Sequence, residues 1–186
     1  MTRAELKGVL WLLLAFASLT NASPQTDRYT VILGDSIARG WCCSVFGPEH
    51  YLPDAFNLAI DGNTIGPVTG MIAGLPPGRV YIHVGVNDIM RDNPKAQIHL
   101  DRLLQAIRKR SDVFFVVDQI GPLRPDYSTD EREAMRFRMN MQLRLARAPN
   151  LRVLPFVATS FIDGCHPNDR GYAQQMPAVL AAFGRQ

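Results

Sequence analysis

The chain has 186 residues, 47% of them apolar and 20% charged, with a formal net charge of +3. That is enough for one domain with a sizeable core, of ordinary soluble globular composition. The positive excess is small and spread along the chain, which argues against nucleic acid as a partner.

The first residues differ from the rest. Arg3 and Lys7 precede an apolar run, G-V-L-W-L-L-L-A-F-A-S-L-T, over 8–20. The run suits a signal-peptide core and is short of the roughly 20 residues that span a bilayer. With Thr20-Asn21-Ala22 before a plausible cut, residues 1–22 read as a secretory signal, leaving 23–186 as a single domain. The protein is then exported, to the periplasm or medium. An uncleaved N-terminus would instead act as a membrane anchor. Export implies an oxidising compartment, so one disulfide among Cys42, Cys43 and Cys165 is credible, and at least one thiol is left over.

Beyond a short polar lead-in, apolar runs alternate with helical stretches. Strands are expected over 28–33, 55–60, 79–84, 112–118 and 151–157. Helices are expected over 94–110, 128–148 and 168–183. In the first helix Ile98, Leu100, Leu103, Leu104 and Ile107 make one apolar stripe. The second opens S-T-D-E-R-E, a good N-terminus with acids in its first turn. Its arginines, Arg132, Arg136, Arg138, Arg144 and Arg147, read as a solvated face with interspersed acids. In the third, Met176, Val179, Leu180 and Phe183 share a face. This alternation implies an α/β fold, a parallel sheet covered by helices on both sides, with ligands at the carboxyl ends of the strands.

The chemistry-bearing residues lie at those ends. The first strand, V-I-L, runs into Gly34-Asp35-Ser36, with Gly40 four residues beyond the serine. The second runs into Asp61-Gly62-Asn63, and the third into Gly85-Val86-Asn87-Asp88. After the fifth comes D-G-C-H-P-N-D-R-G-Y, residues 163–172. Singly, each has an ordinary structural reading: Ser36 as a helix cap, Gly62 as a turn glycine, Asn87-Asp88 as a turn, His166 as a loop residue. Together they meet a chemical need. A serine hydroxyl is a weak nucleophile that requires a base, and a histidine base requires a group that fixes its tautomer. Asp163 and His166, three residues apart, can come from one loop. The Ser36 N–H, the Gly62 N–H and the Asn87 side chain are neutral donors suited to a developing oxyanion.

In these four blocks the chain resembles the SGNH hydrolases, also called GDSL esterases and lipases: G-D-S-I-A-R-G with Ser36, N-L-A-I-D-G with Asn57 and Gly62, G-V-N-D with Asn87, and D-G-C-H-P with Asp163 and His166. Ile37 stands where the family name has Leu, and Ala38 breaks the G-x-S-x-G elbow of the α/β-hydrolases. The resemblance implies a three-layer, flavodoxin-like α/β/α fold with a five-stranded parallel sheet. It implies ester hydrolysis by a Ser36–His166–Asp163 triad with Ser36, Gly62 and Asn87 as the oxyanion hole, and neither metal nor cofactor. The expected substrate is a small-molecule, polysaccharide or lipid ester with a short- to medium-chain acyl or O-acetyl group. A lysophospholipase or thioesterase is the alternative within the family, and a non-catalytic binding module on the same fold the alternative outside it.

The remaining histidines compete for the base. His83 falls inside a strand and reads as packed in the sheet. His50 in a loop and His99 on a helix lack a carboxylate three residues away. Asp35 and Asp88 are expected to hold their turns by accepting nearby backbone N–H bonds. A bridge from Cys42 or Cys43 to Cys165 would tie the His loop to the nucleophile segment; three buried or free thiols is the other reading. Loops over 41–54, 63–78 and 119–130 are expected to carry specificity.

Overall fold

The computed structural model describes residues 29–40 and 44–184. The segment read as a secretory signal, 1–22, lies outside them, as do Cys42 and Cys43.

Five strands form one parallel sheet: β1 (Thr30–Gly34), β2 (Ala55–Asn57), β3 (Gly78–His83), β4 (Val113–Asp118) and β5 (Leu151–Leu154), in the order β2-β1-β3-β4-β5. The helices are α1 (Ser36–Arg39), α2 (Pro48–Tyr51), α3 (Ile65–Met71), α4 (Val86–Met90), α5 (Ala96–Arg108), α6 (Asp130–Leu145) and α7 (Asp169–Ala182).

Alternate residues of the central strands point to opposite faces, and both faces are apolar, so the sheet is buried on both sides. Leu33, Val80, Ile82, Phe115 and Val117 pack with Val68 of α3, Leu103 and Ile107 of α5, and Met139 and Leu143 of α6. On the other face, Ile32, Tyr81 and Val116 pack with Tyr172, Met176 and Val179 of α7. Three layers result, with the core split by the sheet. Each such Leu, Ile, Val or Phe contributes roughly 1.5–3 kcal/mol when fully buried.

The caps explain where the long helices start. Thr129 accepts from the Arg132 N–H and opens α6, and Asn168 accepts from the Gly171 N–H and opens α7. Two of the arginines expected on a solvated face of α6 are ion-paired, Arg132 with Asp92 and Arg136 with Glu133.

Three sequence expectations need correction. Ile98 is 51% exposed; the inward residue of that first turn is Ala96. Positions 98 and 100 lie two apart on a helix and face different ways, so they cannot share the stripe. Strand β2 stops at Asn57 and does not reach Ile60, because the Asn57 Oδ1 accepts from the Ala59 N–H at 3.1 Å and turns the chain. The supposed loops are partly helical: α2 lies within 41–54, and α3 with a 3₁₀ turn (Ile72–Gly74) fills much of 63–78.

The chain enters the sheet at β1, steps out to β2 and returns to β3 on the other side of β1. The carboxyl ends of β1 and β3 therefore lie side by side at a topological switch point, where open α/β sheets bind ligands.

Candidate active site

The turn that carries Ser36 follows β1 directly. Asp35 has extended backbone and caps α1, its Oδ1 accepting from the Ile37 N–H at 3.0 Å. The cap is thus Asp35, and Ser36 becomes the first residue of the helix. An N–H in that position has no acceptor within the helix. Gly40 ends α1 after a single turn. The turn lifts Ser36 to the sheet edge, where it is partly exposed.

The second component comes from the loop after β5. Ile162 N–H donates to the His166 carbonyl at 2.8 Å, and Asn168 N–H to the Ser160 carbonyl at 3.2 Å, which closes the loop on itself. Within it Asp163 uses both carboxylate oxygens. Oδ1 accepts the N–H groups of Cys165 at 3.1 Å and His166 at 2.8 Å. Oδ2 lies 2.8 Å from His166 Nδ1. On the far side of the ring, His166 Nε2 lies 2.8 Å from Ser36 Oγ. With the ring proton on Nδ1 facing the carboxylate, the Nε2 lone pair accepts from the serine hydroxyl. Burial works against the Asp163 carboxylate, but the His166 N–H, the His166 ring and the Cys165 N–H outweigh it and hold its pKa below the usual carboxylate range. Asp163 is therefore anionic across the neutral range and able to stabilise an imidazolium. Arg124 Nε lies 3.8 Å from Asp163 Oδ2. Sequence reading missed Arg124, for no periodicity or spacing connects it to a loop 39 residues away.

The third component surrounds the end of β1. The Gly34 carbonyl accepts from the Ile60 N–H at 3.0 Å and from Asn63 Nδ2 at 3.4 Å. These bonds hold the 60–63 turn against the turn that carries Ser36. Gly62 adopts φ 73°, a left-handed conformation that glycine takes without cost. From the end of β3, Asn87 Nδ2 donates to the Asn63 carbonyl at 3.0 Å, which leaves its second amide hydrogen available. Asp88 is fully buried. Its Oδ2 accepts from the Ile65 N–H at 2.9 Å and its Oδ1 from Asn93 Nδ2 at 2.8 Å, joining α4 to α3. Asp35 and Asp88 thus hold backbone, as expected, though the N–H held by Asp88 is 23 residues away.

All five expected site residues fall at the carboxyl edge of the sheet, and direct bonds link Ser36, His166 and Asp163. The other histidines hold other positions. His83 ends β3 and is fully buried. His99 Nδ1 lies 3.9 Å from Asp88 Oδ1, and His50 packs edge-on to Phe46 within and beside α2. The Cys165 thiol is free and buried in the core, and burial above all pushes its pKa up to about 12. Among the described residues no group of three His, Cys, Asp or Glu side chains could hold a metal ion, and no helix is long and apolar enough to cross a membrane.

The sheet order, with a serine, a glycine turn, an asparagine and an Asp-x-x-His loop on its carboxyl edge, is the pattern of the SGNH class. Residues 32–174 match the GDSL-like Lipase/Acylhydrolase family, and the chain belongs to it. By family it is an ester hydrolase. Among solved structures, a member of the lipolytic G-D-S-L family from Veillonella parvula is similar at TM-score 0.68 and 19% identity, covering 85% of this chain and 99% of that one. The catalytic domain of Streptococcus pneumoniae peptidoglycan O-acetyltransferase A is similar at TM-score 0.63 and 16% identity, over 85% of this chain and 96% of that one. An aryl esterase of M. smegmatis is similar at TM-score 0.62 and 14% identity, over 84% and 98%. At such identities the likeness is one of fold. No curated protein sequence matches the chain.

Proposed function

We propose that this protein is an exported serine esterase that cleaves carboxylic esters with short- to medium-chain acyl or O-acetyl groups. The observation that carries the mechanism is the continuous chain Ser36 Oγ–His166–Asp163, with both links at 2.8 Å. The Ser36 oxygen attacks the ester carbonyl while His166 Nε2 takes its proton. Asp163 holds the ring in the required tautomer and balances the imidazolium. The Ser36 N–H, the Gly62 N–H and Asn87 Nδ2 receive the carbonyl oxygen as it becomes anionic. His166 returns the proton to the leaving alcohol, and an acyl-serine remains. Water activated by His166 then releases the acid.

Support for an O-acetyl substrate comes from the likeness to a peptidoglycan O-acetyltransferase domain, whose name records that acyl group. Export rests on the sequence of residues 1–22, and N-terminal sequencing of the protein from a secreting culture tests it.

The decisive experiment pairs fluorophosphonate labelling with a p-nitrophenyl ester series from acetate to palmitate, using wild type, Ser36→Ala and His166→Ala. Labelling and turnover should be lost in both variants, and activity should be greatest at the short end of the series. A folded protein that neither labels nor cleaves any ester sinks the proposal.

A further inference from the structure

We propose that His83 is a positioning residue for the nucleophile: through Asp35, it fixes the turn that presents Ser36. The inference rests on the reading of Ser36 as nucleophile.

His83 grips Asp35 at two points. Its carbonyl oxygen accepts the Asp35 N–H at 3.1 Å, and its ring Nδ1 lies 3.2 Å from Asp35 Oδ1. The same carboxylate oxygen accepts the Ile37 N–H and so caps α1. Ser36 is therefore held between two restrained neighbours. If the carboxylate turned away, the start of α1 would shift, and with it the Oγ that must stay within hydrogen-bond reach of His166 Nε2.

The pair lies in a buried layer beneath the site, with side-chain exposures of 0% and 1%. A carboxylate there is costly unless it is paired and hydrogen-bonded. The groups around the His83 ring are Asp35 from the turn after β1, Asp118 from β4, and Phe156 from the segment after β5. Asp118 Oδ2 accepts the Tyr81 hydroxyl at 2.7 Å, and the Phe156 ring centre lies 5.4 Å from that of His83. Behind them Gln175 of α7 is buried. Nδ1 is the ring nitrogen turned toward Asp35. A histidine committed in this way serves Asp35 rather than the packing of the sheet.

Electrostatics favour the same role. An isolated carboxylate one residue from the Ser36 N–H would oppose an oxyanion held there. Burial pushes the His83 imidazolium down, but the Asp35 charge, its hydrogen bond and then Asp118 outweigh this, and the net direction is up. A ring hydrogen bond to Oδ1 draws that charge away from the Ser36 N–H.

Three substitutions in the full chain separate positioning from packing. His83→Asn keeps a donor where Nδ1 stands. His83→Gln carries its amide out toward the Nε2 position, and His83→Leu removes both. Readouts are Tm, the fluorophosphonate labelling rate of Ser36, and kcat and KM on p-nitrophenyl acetate. His83→Asn should keep kcat within about threefold of wild type. His83→Gln and His83→Leu should lose about 30–100-fold in kcat and labelling rate, with KM within about twofold. A folded His83→Leu with wild-type kcat, or equal losses in His83→Asn and His83→Gln, overturns the proposal. If none of the variants folds, ¹⁵N NMR of the wild-type imidazole decides. A proton on Nδ1 sustains the proposal, and a neutral ring protonated only at Nε2 overturns it. A wild type that labels with nothing and cleaves no ester fails the esterase reading itself and removes the positioning role with it, a result distinct from those above.

Discussion

The carbonyl oxygen of His83 occupies the space that a Cβ on Gly34 would need. The two residues are register partners at the ends of β3 and β1, and Gly34 adopts φ 138° there. The close approach brings the Ser36 turn against the strand that leads to Asn87. Gly34→Ala would both strain the backbone and drive a methyl group into that carbonyl. We expect it to cost at least about 3 kcal/mol. Urea unfolding reads this directly, and a variant within 1 kcal/mol of wild type (about) would show that the two strand ends can separate freely.

The candidate site was legible in the sequence because its chemistry sits at strand ends, where apolar runs give way abruptly to Gly, Asp, Ser and Asn. Strands β1, β3 and β4 read clearly, since burial on both faces makes them nearly continuous apolar segments. The bracing was not legible. Asn63 holds the Gly34 carbonyl, Asp88 holds the Ile65 N–H and Asn150 Nδ2 donates to the Ile107 carbonyl, all through contacts distant in sequence. Helices α2 and α3 were also missed. With four and seven residues, they are too short to show an apolar period, and Pro67 and Gly66 inside α3 read as loop.

Asn87 should contribute to rate more than to binding. Its Nδ2 already donates one hydrogen to the Asn63 carbonyl, and the other hydrogen is the one we propose for the oxyanion. A donor whose bond strengthens only as charge develops raises kcat without lowering KM. Asn87→Ala should lose about 10²–10³-fold in kcat with little change in KM. Asn87→Asp should lose at least as much, since it replaces the donor with an anion. Steady-state kinetics on p-nitrophenyl acetate test both, and a loss confined to KM would move Asn87 from the oxyanion hole to ground-state binding.

Stability should fall as the pH rises through neutrality. Burial raises the Asp118 carboxyl to about 7, against His83, the Tyr81 hydroxyl and Gln175, which act in the opposite direction. An unfolded Asp releases its proton near pH 3.9 (about). Between these values the folded protein holds the proton and the unfolded chain does not. The contribution is therefore complete below the lower value and is lost as pH rises through the upper one. His83, also raised, acts in the same sense from its unfolded value of about 6.5 upward. Asp163, held low, acts oppositely, but only as the pH drops below about 4. The Tm should therefore drop by about 4 °C or more between pH 5.5 and 8.5. Asp118→Asn keeps an acceptor for Tyr81 and should flatten most of that slope. A wild-type Tm that rises over the same interval would contradict the buried, protonated Asp118.

Cys165 sits between the two residues that form the Asp–His pair, yet its side chain faces the core and not the site. It is 1% exposed, packed with the apolar cluster that includes Leu33, Ile120 and Leu123. Burial first, and then the Asp35 and Asp163 charges, push its thiol up to about 12, so almost none is thiolate at pH 8. Since the thiolate is the reacting form, iodoacetamide at pH 8 should leave Cys165 unmodified in the native protein and modify it in urea. Peptide mapping by mass spectrometry distinguishes it from Cys42 and Cys43. Activity should survive the native treatment at the Ser36 site. Cys165→Ala should retain kcat while losing about 1 kcal/mol of stability to the small cavity left behind. Rapid native alkylation of Cys165 would mean that the loop carrying Asp163 and His166 opens from the core, and the fixed geometry of the pair would have to be abandoned.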